Sequence, residues 1–247
     1  MVTYEYGNRQ MKEHEKIIKD LAKKKLAPLG FFQKGASRLW IRDNLYFLSI
    51  IEFTPHSWQQ GTYVRACISF LWEKNEDPDD SIGFDIAENI SGRVGQFIEF
   101  VSEDPDVFAT VLEQYIDLAF NKLKEFENFS DPGCAKEYFE KLTDFGKSDI
   151  RKVYDLAMIC FLNGDHADGE RYFRNLIEQS EASIYRNGRY IAWVDGFAKY
   201  CRFELLPKFE EPENARKTVQ QMINRRRAYL GSKKSFAGLR HDPVYTV

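Results

Sequence analysis

Apolar residues recur at helical spacing near the start of the chain. Met11, Ile17, Ile18, Leu21 and Ala22 form one stripe, with Leu26 close to it. Lys12, Lys16, Lys19, Lys23 and Lys24 occupy much of the other side. The pattern predicts an amphipathic helix over 10–27, ended by Pro28 and Gly30. Lys23, Lys24 and Lys25 at its end complement the negative pole of the helix dipole. From Phe31 the period changes. Residues 45–53 and 62–72 are β-branched and aromatic, with apolar side chains on both parities in places. Such runs predict central strands covered on both faces, or strands under a helical layer. A third, shorter strand is expected over 37–41, with Asp43-Asn44 turning the chain to Leu45. The two long runs are joined by Thr54-Pro55-His56-Ser57-Trp58-Gln59-Gln60-Gly61, a turn-rich loop. An acidic stretch follows at 73–80. It lacks the glycine and glutamate positions of a calcium loop and reads as a solvated turn. Residues 82–86 are expected as an edge strand.

The second half reads as helices. Pro105 opens one that runs to about residue 126, with Val107, Val111, Leu112, Tyr115, Leu118, Ala119 and Leu123 on one stripe. Further helices are expected over 132–145, 149–162 (capped by Ser148), 166–179, 181–205 and 214–230, with breaks at Pro207 and Pro212. Asn163-Gly164-Asp165 is a tight turn between two of them. The expected fold class is α+β. An N-terminal helix packs on an antiparallel sheet of three to five strands, and an all-helical half follows. The division falls between residues 1–104 and 105–247, with a boundary somewhere from 100 to 132.

Composition narrows the class. The chain has 247 residues, of which 43% are hydrophobic and 15% aromatic, enough to bury a core rich in rings. Its net charge of -3 lacks the single-sign field that draws a whole molecule to nucleic acid or a membrane. Cys67, Cys134, Cys160 and Cys201 are far apart and form no metal-binding pair, which points to reduced and mostly buried thiols. The first residues lack the basic and apolar regions of a secretion signal, and no apolar run approaches the ~20 residues of a membrane span. A cytoplasmic protein is expected.

Two resemblances add to this. Leu26-Ala27-Pro28-Leu29-Gly30-Phe31, then Gln33-Lys34-Gly35, Trp40 and Arg42, a long strand, a Trp-bearing loop and a second strand ending at Trp72 form one series. It resembles a bacterial family known as domain of unknown function 4304, over about residues 10–100. That resemblance implies a small α+β domain of bacterial, cytoplasmic type and carries over no catalytic residue. Leu156, Ala157, Gly164, Gly169 and Phe173 sit at the small and apolar positions of a tetratricopeptide repeat. Small residues at 157 and 169 let two antiparallel helices approach closely, and Phe173 fills the gap beside them. A single such unit predicts one helical hairpin near 150–179 within a bundle, since arrays need about three.

Signatures of catalysis are missing. No nucleophile elbow, phosphate-binding loop, dinucleotide glycine pattern or paired metal ligands occur, and no cofactor or catalytic residue is implied. Of the four histidines, His14 is expected on a polar helix face and His166 at a helix start, both in solvent. His56 is better placed, two residues from Trp58 in the loop, where an imidazole beside an indole can hold a ring, a carboxylate or a peptide edge. The simpler expectation is that Trp58 folds back onto the sheet and His56 is solvated. Arg38, Trp40 and Arg42 share parity on one strand, and Arg65 lies on a neighbouring one. Such a row can stack a base or hold a phosphate, with Glu52 as pairing partner or base, although an ordinary solvent face looks the same. The C-terminal segment is basic, with Arg216, Lys217, Arg225, Arg226, Arg227, Lys233, Lys234, Arg240 and His241. The expected function is a non-enzymatic binding or regulatory module for a protein partner. The alternatives are an enzyme acting on a nucleotide or phosphate compound and, more weakly, nucleic-acid binding through the basic C-terminus, with a membrane role disfavoured.

Overall fold

In a computed structural model, which describes residues 12–72, 92–143, 150–186, 189–240 and 242–246, the first apolar stripe becomes helix α1 (Glu13–Leu26). Its buried side is the i, i+4 ladder His14, Ile18, Ala22 and Leu26. His14, expected in solvent, is therefore buried, with its ring 5.6 Å from Phe100. Gly30 then adopts a left-handed turn at φ 82° and delivers the chain into the sheet.

Strands β1 (Phe32–Gln33), β2 (Leu39–Asp43), β3 (Phe47–Thr54), β4 (Gly61–Phe70) and β5 (Gly92–Glu99) form an antiparallel meander in chain order. The expected edge strand at 82–86 and the acidic loop lie outside the described residues. β5 was not anticipated. Two glycines and a register shift against β4 between Thr62 and Val64 blur its alternation. Cross-strand partners fix the faces. Trp40 opposes Ile51, which opposes Ala66, whereas Leu39 opposes Glu52, which opposes Arg65. The first set faces α1 and α2 (Pro105–Lys124). The Asp104 carboxylate caps α2 by accepting from the Val107 amide. Helix α2 buries Phe108, Leu112, Ile116, Ala119 and Leu123. Val107 and Leu118, expected on the apolar stripe, lie on its solvent side.

Helices α3 (Pro132–Leu142), α4 (Ile150–Asn163), α5 (His166–Ala182) and α7 (Pro212–Gly231) build the rest, with α4 at the centre. Every residue of α4 from 153 to 162 is buried. α4 and α5 form the expected hairpin, turned at Gly164 with φ 92°. A Cβ on Gly169 would stand 2.6 Å from the Phe161 ring, so only glycine permits this approach. A single helix over 181–205 does not form. α5 ends, a short ladder pairs β6 (Tyr185–Arg186) with β7 (Arg189–Tyr190), and α6 (Ala192–Lys199) runs into a π-helical turn, Tyr200–Leu205. Asn187-Gly188, between the two strands, is a poor helix interior and a strong hairpin signal.

The two halves share one core. Tyr46 stacks on Phe70 and Trp72, and its hydroxyl donates to the Phe129 carbonyl. The Trp72 indole N–H donates to the buried Asp155 carboxylate of α4 at 2.9 Å. Arg227 of α7, only 1% exposed, grips Asp43 at the end of β2 through two hydrogen bonds of 2.7 and 2.6 Å. It also donates to the Leu45 carbonyl. The basic C-terminal run is thus partly consumed in folding. His241 lies outside the described residues.

Candidate functional site

The loop between β3 and β4 is held at its β4 end. Gly61 has φ 140°, and a Cβ there would meet the Ile98 carbonyl at 2.1 Å, so the loop must close on glycine. On the other side of that contact, the Phe100 amide donates to the Gln60 carbonyl at 2.9 Å. Within the loop, His56 Nδ1 accepts from the Trp58 amide at 3.3 Å. The imidazole leans on Phe97 of β5 with centroids 5.3 Å apart, and Phe97 in turn meets Tyr63 of β4 at 5.0 Å. Contrary to the simpler expectation, the rings have exchanged roles. His56 rests against the sheet, while Trp58 stands 88% exposed at the tip. An indole in water forgoes on the order of 3 kcal/mol of burial that a partner would supply.

Next to this cluster on the same face, Glu52 and Arg65 oppose each other across β3 and β4 and pair at 3.4 Å. Both are half-buried. The site is therefore an indole at the tip, a ledge of His56, Tyr63 and Phe97, and a charged pair beneath. Tyr63 and Phe97 were not singled out from the sequence. Tyr63 shares parity with Arg65 and was legible, but Phe97 needed β5.

The arginine row does not assemble. Arg38, Trp40 and Arg42 lie on the face that the helices cover, and Arg65 lies on the opposite face because its register partner is Glu52. Trp40 is buried in the core at 4% exposure and cannot stack a ligand. Arg38 pairs with Glu15 of α1 at 3.0 Å. Arg42 pairs with Glu127 at 3.5 Å, and its guanidinium lies over Phe31 and Phe120. A clamp of Arg38, Arg42 and Arg65 with Glu52 as base is therefore not formed.

Other reactive groups are engaged elsewhere. His166 Nε2 lies 2.6 Å from the Phe209 carbonyl, so it too is less free than expected. Burial pushes the Cys160 and Cys201 thiols up to about 12, which leaves them protonated at neutral pH. Cys67 is buried and Cys134 exposed, and none of the four forms a disulfide. Among the described residues, no three His, Cys, Asp or Glu side chains come together as a metal site requires. No helix among them is long and apolar enough to cross a membrane.

Comparison with protein-family models, curated proteins and solved structures finds no match.

Proposed function

We propose that this protein is a binding module, without catalytic activity of its own, that engages another protein through the β3–β4 loop. The observation that carries this reading is Trp58, 88% exposed on a loop closed at Gly61 and braced by His56. An indole has few rotatable bonds to order on binding, and interface energy concentrates in such aromatic anchors. The ledge of His56, Tyr63 and Phe97 supplies apolar contact around it, and the Glu52–Arg65 pair offers polar contacts at the rim. The bacterial cytoplasm is the proposed setting, on the resemblance of the first hundred residues. The reading as a phosphate-handling enzyme draws no support from arginines that point to opposite faces, each against a carboxylate.

Affinity capture from a host lysate with the unmodified chain and with Trp58→Ala tests the proposal. The substitution should leave circular dichroism and thermal midpoint unchanged. It should weaken the retained partner by tenfold or more, about 1.4 kcal/mol or above. A Trp58→Ala chain that keeps its full set of partners at equal affinity overturns the reading.

A further inference from the structure

The segment after α7 folds back along that helix and ends in a contact of unusual form. Phe236 and Leu239 are buried, and the Ser235 carbonyl accepts from the Gly35 amide at 2.9 Å, so this part belongs to the core. Beyond it the attachment thins. Asp242, Pro243 and Thr246 are exposed. Residues 244 and 245 are held by one side chain, Asn224 of α7. Its Nδ2 donates to the Tyr245 carbonyl at 2.8 Å, and its Oδ1 accepts from the Val244 and Tyr245 amides at 3.0 and 3.3 Å. A single amide thus satisfies three backbone groups of two consecutive residues. Those groups are common to any peptide, so the clamp recognises backbone and not sequence. The Tyr245 ring, half-buried against the core, is the side-chain anchor.

Thr246 lines an open depression beside this clamp. The depression has a volume of about 450 Å³ and lies between Gly164 and the first turns of α7, where Glu213, Arg216, Lys217 and Gln220 line it. Nothing would lie within 4 Å of a Cβ on Gly164, so that wall is open. Arg216 and Lys217 are exposed, and among the described residues neither has an ion-pair partner. Backbone clamp, aromatic seat and two exposed cations follow one another along one helix.

We propose that this groove is a peptide-binding site, filled in cis by residues 242–246, and that it takes in trans an acidic peptide carrying an aromatic anchor. Asn224 holds the backbone, the seat of Tyr245 receives the aromatic side chain, and Arg216 and Lys217 meet carboxylates beyond it. The site lies on elements other than the Trp58 loop and stands or falls separately from it. The strap competes as an intramolecular ligand, so a partner binds with an affinity reduced by the fraction of time the groove is open.

The probe is a fluorescent peptide with the sequence of residues 240–247, and a second peptide that adds two glutamates at its end. Both are titrated by anisotropy into the full chain. Tyr245→Ala, which loosens the strap, should tighten binding about tenfold or more over the unmodified chain. Adding Asn224→Ala should cancel that gain. Asn224→Asp, which keeps size and acceptors but loses the donor, should fall between and guards against misfolding of the alanine variant. The glutamate extension should bind more tightly, and Arg216→Gln with Lys217→Gln should remove that advantage. Binding no tighter to Tyr245→Ala than to the unmodified chain, or indifferent to Asn224, overturns the site. Strap exchange between two copies, seen as an Asn224-dependent dimer that excludes the peptide, overturns the choice of occupant.

Discussion

His14 shows how much a single buried ring can control. It sits on the inner ladder of α1 against Phe100, and among the described residues its Nδ1 has no hydrogen-bond partner. Burial lowers the imidazole pKa below its ordinary value of 6.5, with Glu15 opposing and Arg38 and Lys12 adding to the drop. A lowered value in the fold means that the unfolded chain binds the proton more readily. The contribution of His14 to stability is therefore full above pH 6.5 and is lost as pH falls below it. Urea midpoints at pH 7 and pH 5 should differ more for the unmodified chain than for His14→Leu, which has nothing there to protonate. An equal difference would show that His14 does not titrate in this way. Arg227 is the counterpart with a charge. Arg227→Met would strand Asp43 without its partner and should lower stability by about 3–5 kcal/mol in chemical denaturation. Asp43→Asn in the same chain should recover part of it. Neither residue was readable as structural. The apolar stripe of α1 is read from its aliphatic residues, which hides His14, and Arg227 ends a run of three arginines of which the first two give no sign that the last is buried.

Elements were legible where local spacing and packing agree. The α4–α5 hairpin follows from Ala157, Gly164, Gly169 and Phe173, because small residues at a helix crossing leave a mark in the sequence. The packing gives that mark a cost. Gly169→Ala gains helix propensity of about 1 kcal/mol, but its methyl group must displace the Phe161 ring from 2.6 Å inside the core. A net loss of about 1–2 kcal/mol is expected, read as a lower thermal midpoint. A higher midpoint would mean that the ring yields freely. β5 and the 185–190 ladder were not legible for opposite reasons. The glycines and bulge of β5 break the alternation by which a strand is recognised. At 181–205 the apolar spacing suits a helix throughout, and only Asn187-Gly188 contradicts it. The β3–β4 loop was legible as a loop, but which ring it would expose was not. Trp58 is freed because His56 takes the place against Phe97, and Phe97 arrives on the unforeseen strand.

At the scale of the molecule, sheet and helices meet through contacts far apart in sequence. Trp72 and Asp155 are 83 residues apart, and Arg227 and Asp43 are 184 apart. Composition and periodicity report neighbours along the chain, so they could draw a boundary near residue 105 but could not say what crosses it. What crosses is apolar and polar at once. The rings of Tyr46, Phe70 and Trp72 stack at the end of the sheet, and the indole N–H closes on a carboxylate that α4 carries into the interior. A polar group so placed makes the helical half depend on the sheet, because separating them would leave Asp155 without its indole donor in an apolar surface. The chain should therefore unfold as one cooperative unit. Trp fluorescence, which includes Trp72, and far-ultraviolet circular dichroism should give coincident urea transitions. Trp72→Phe keeps the stack but removes the donor, and should lower stability by about 2 kcal/mol with the transitions still coincident. Two separated transitions in the unmodified chain would show instead that the shared core is too weak to couple the halves, and that the boundary near residue 105 divides units that fold alone.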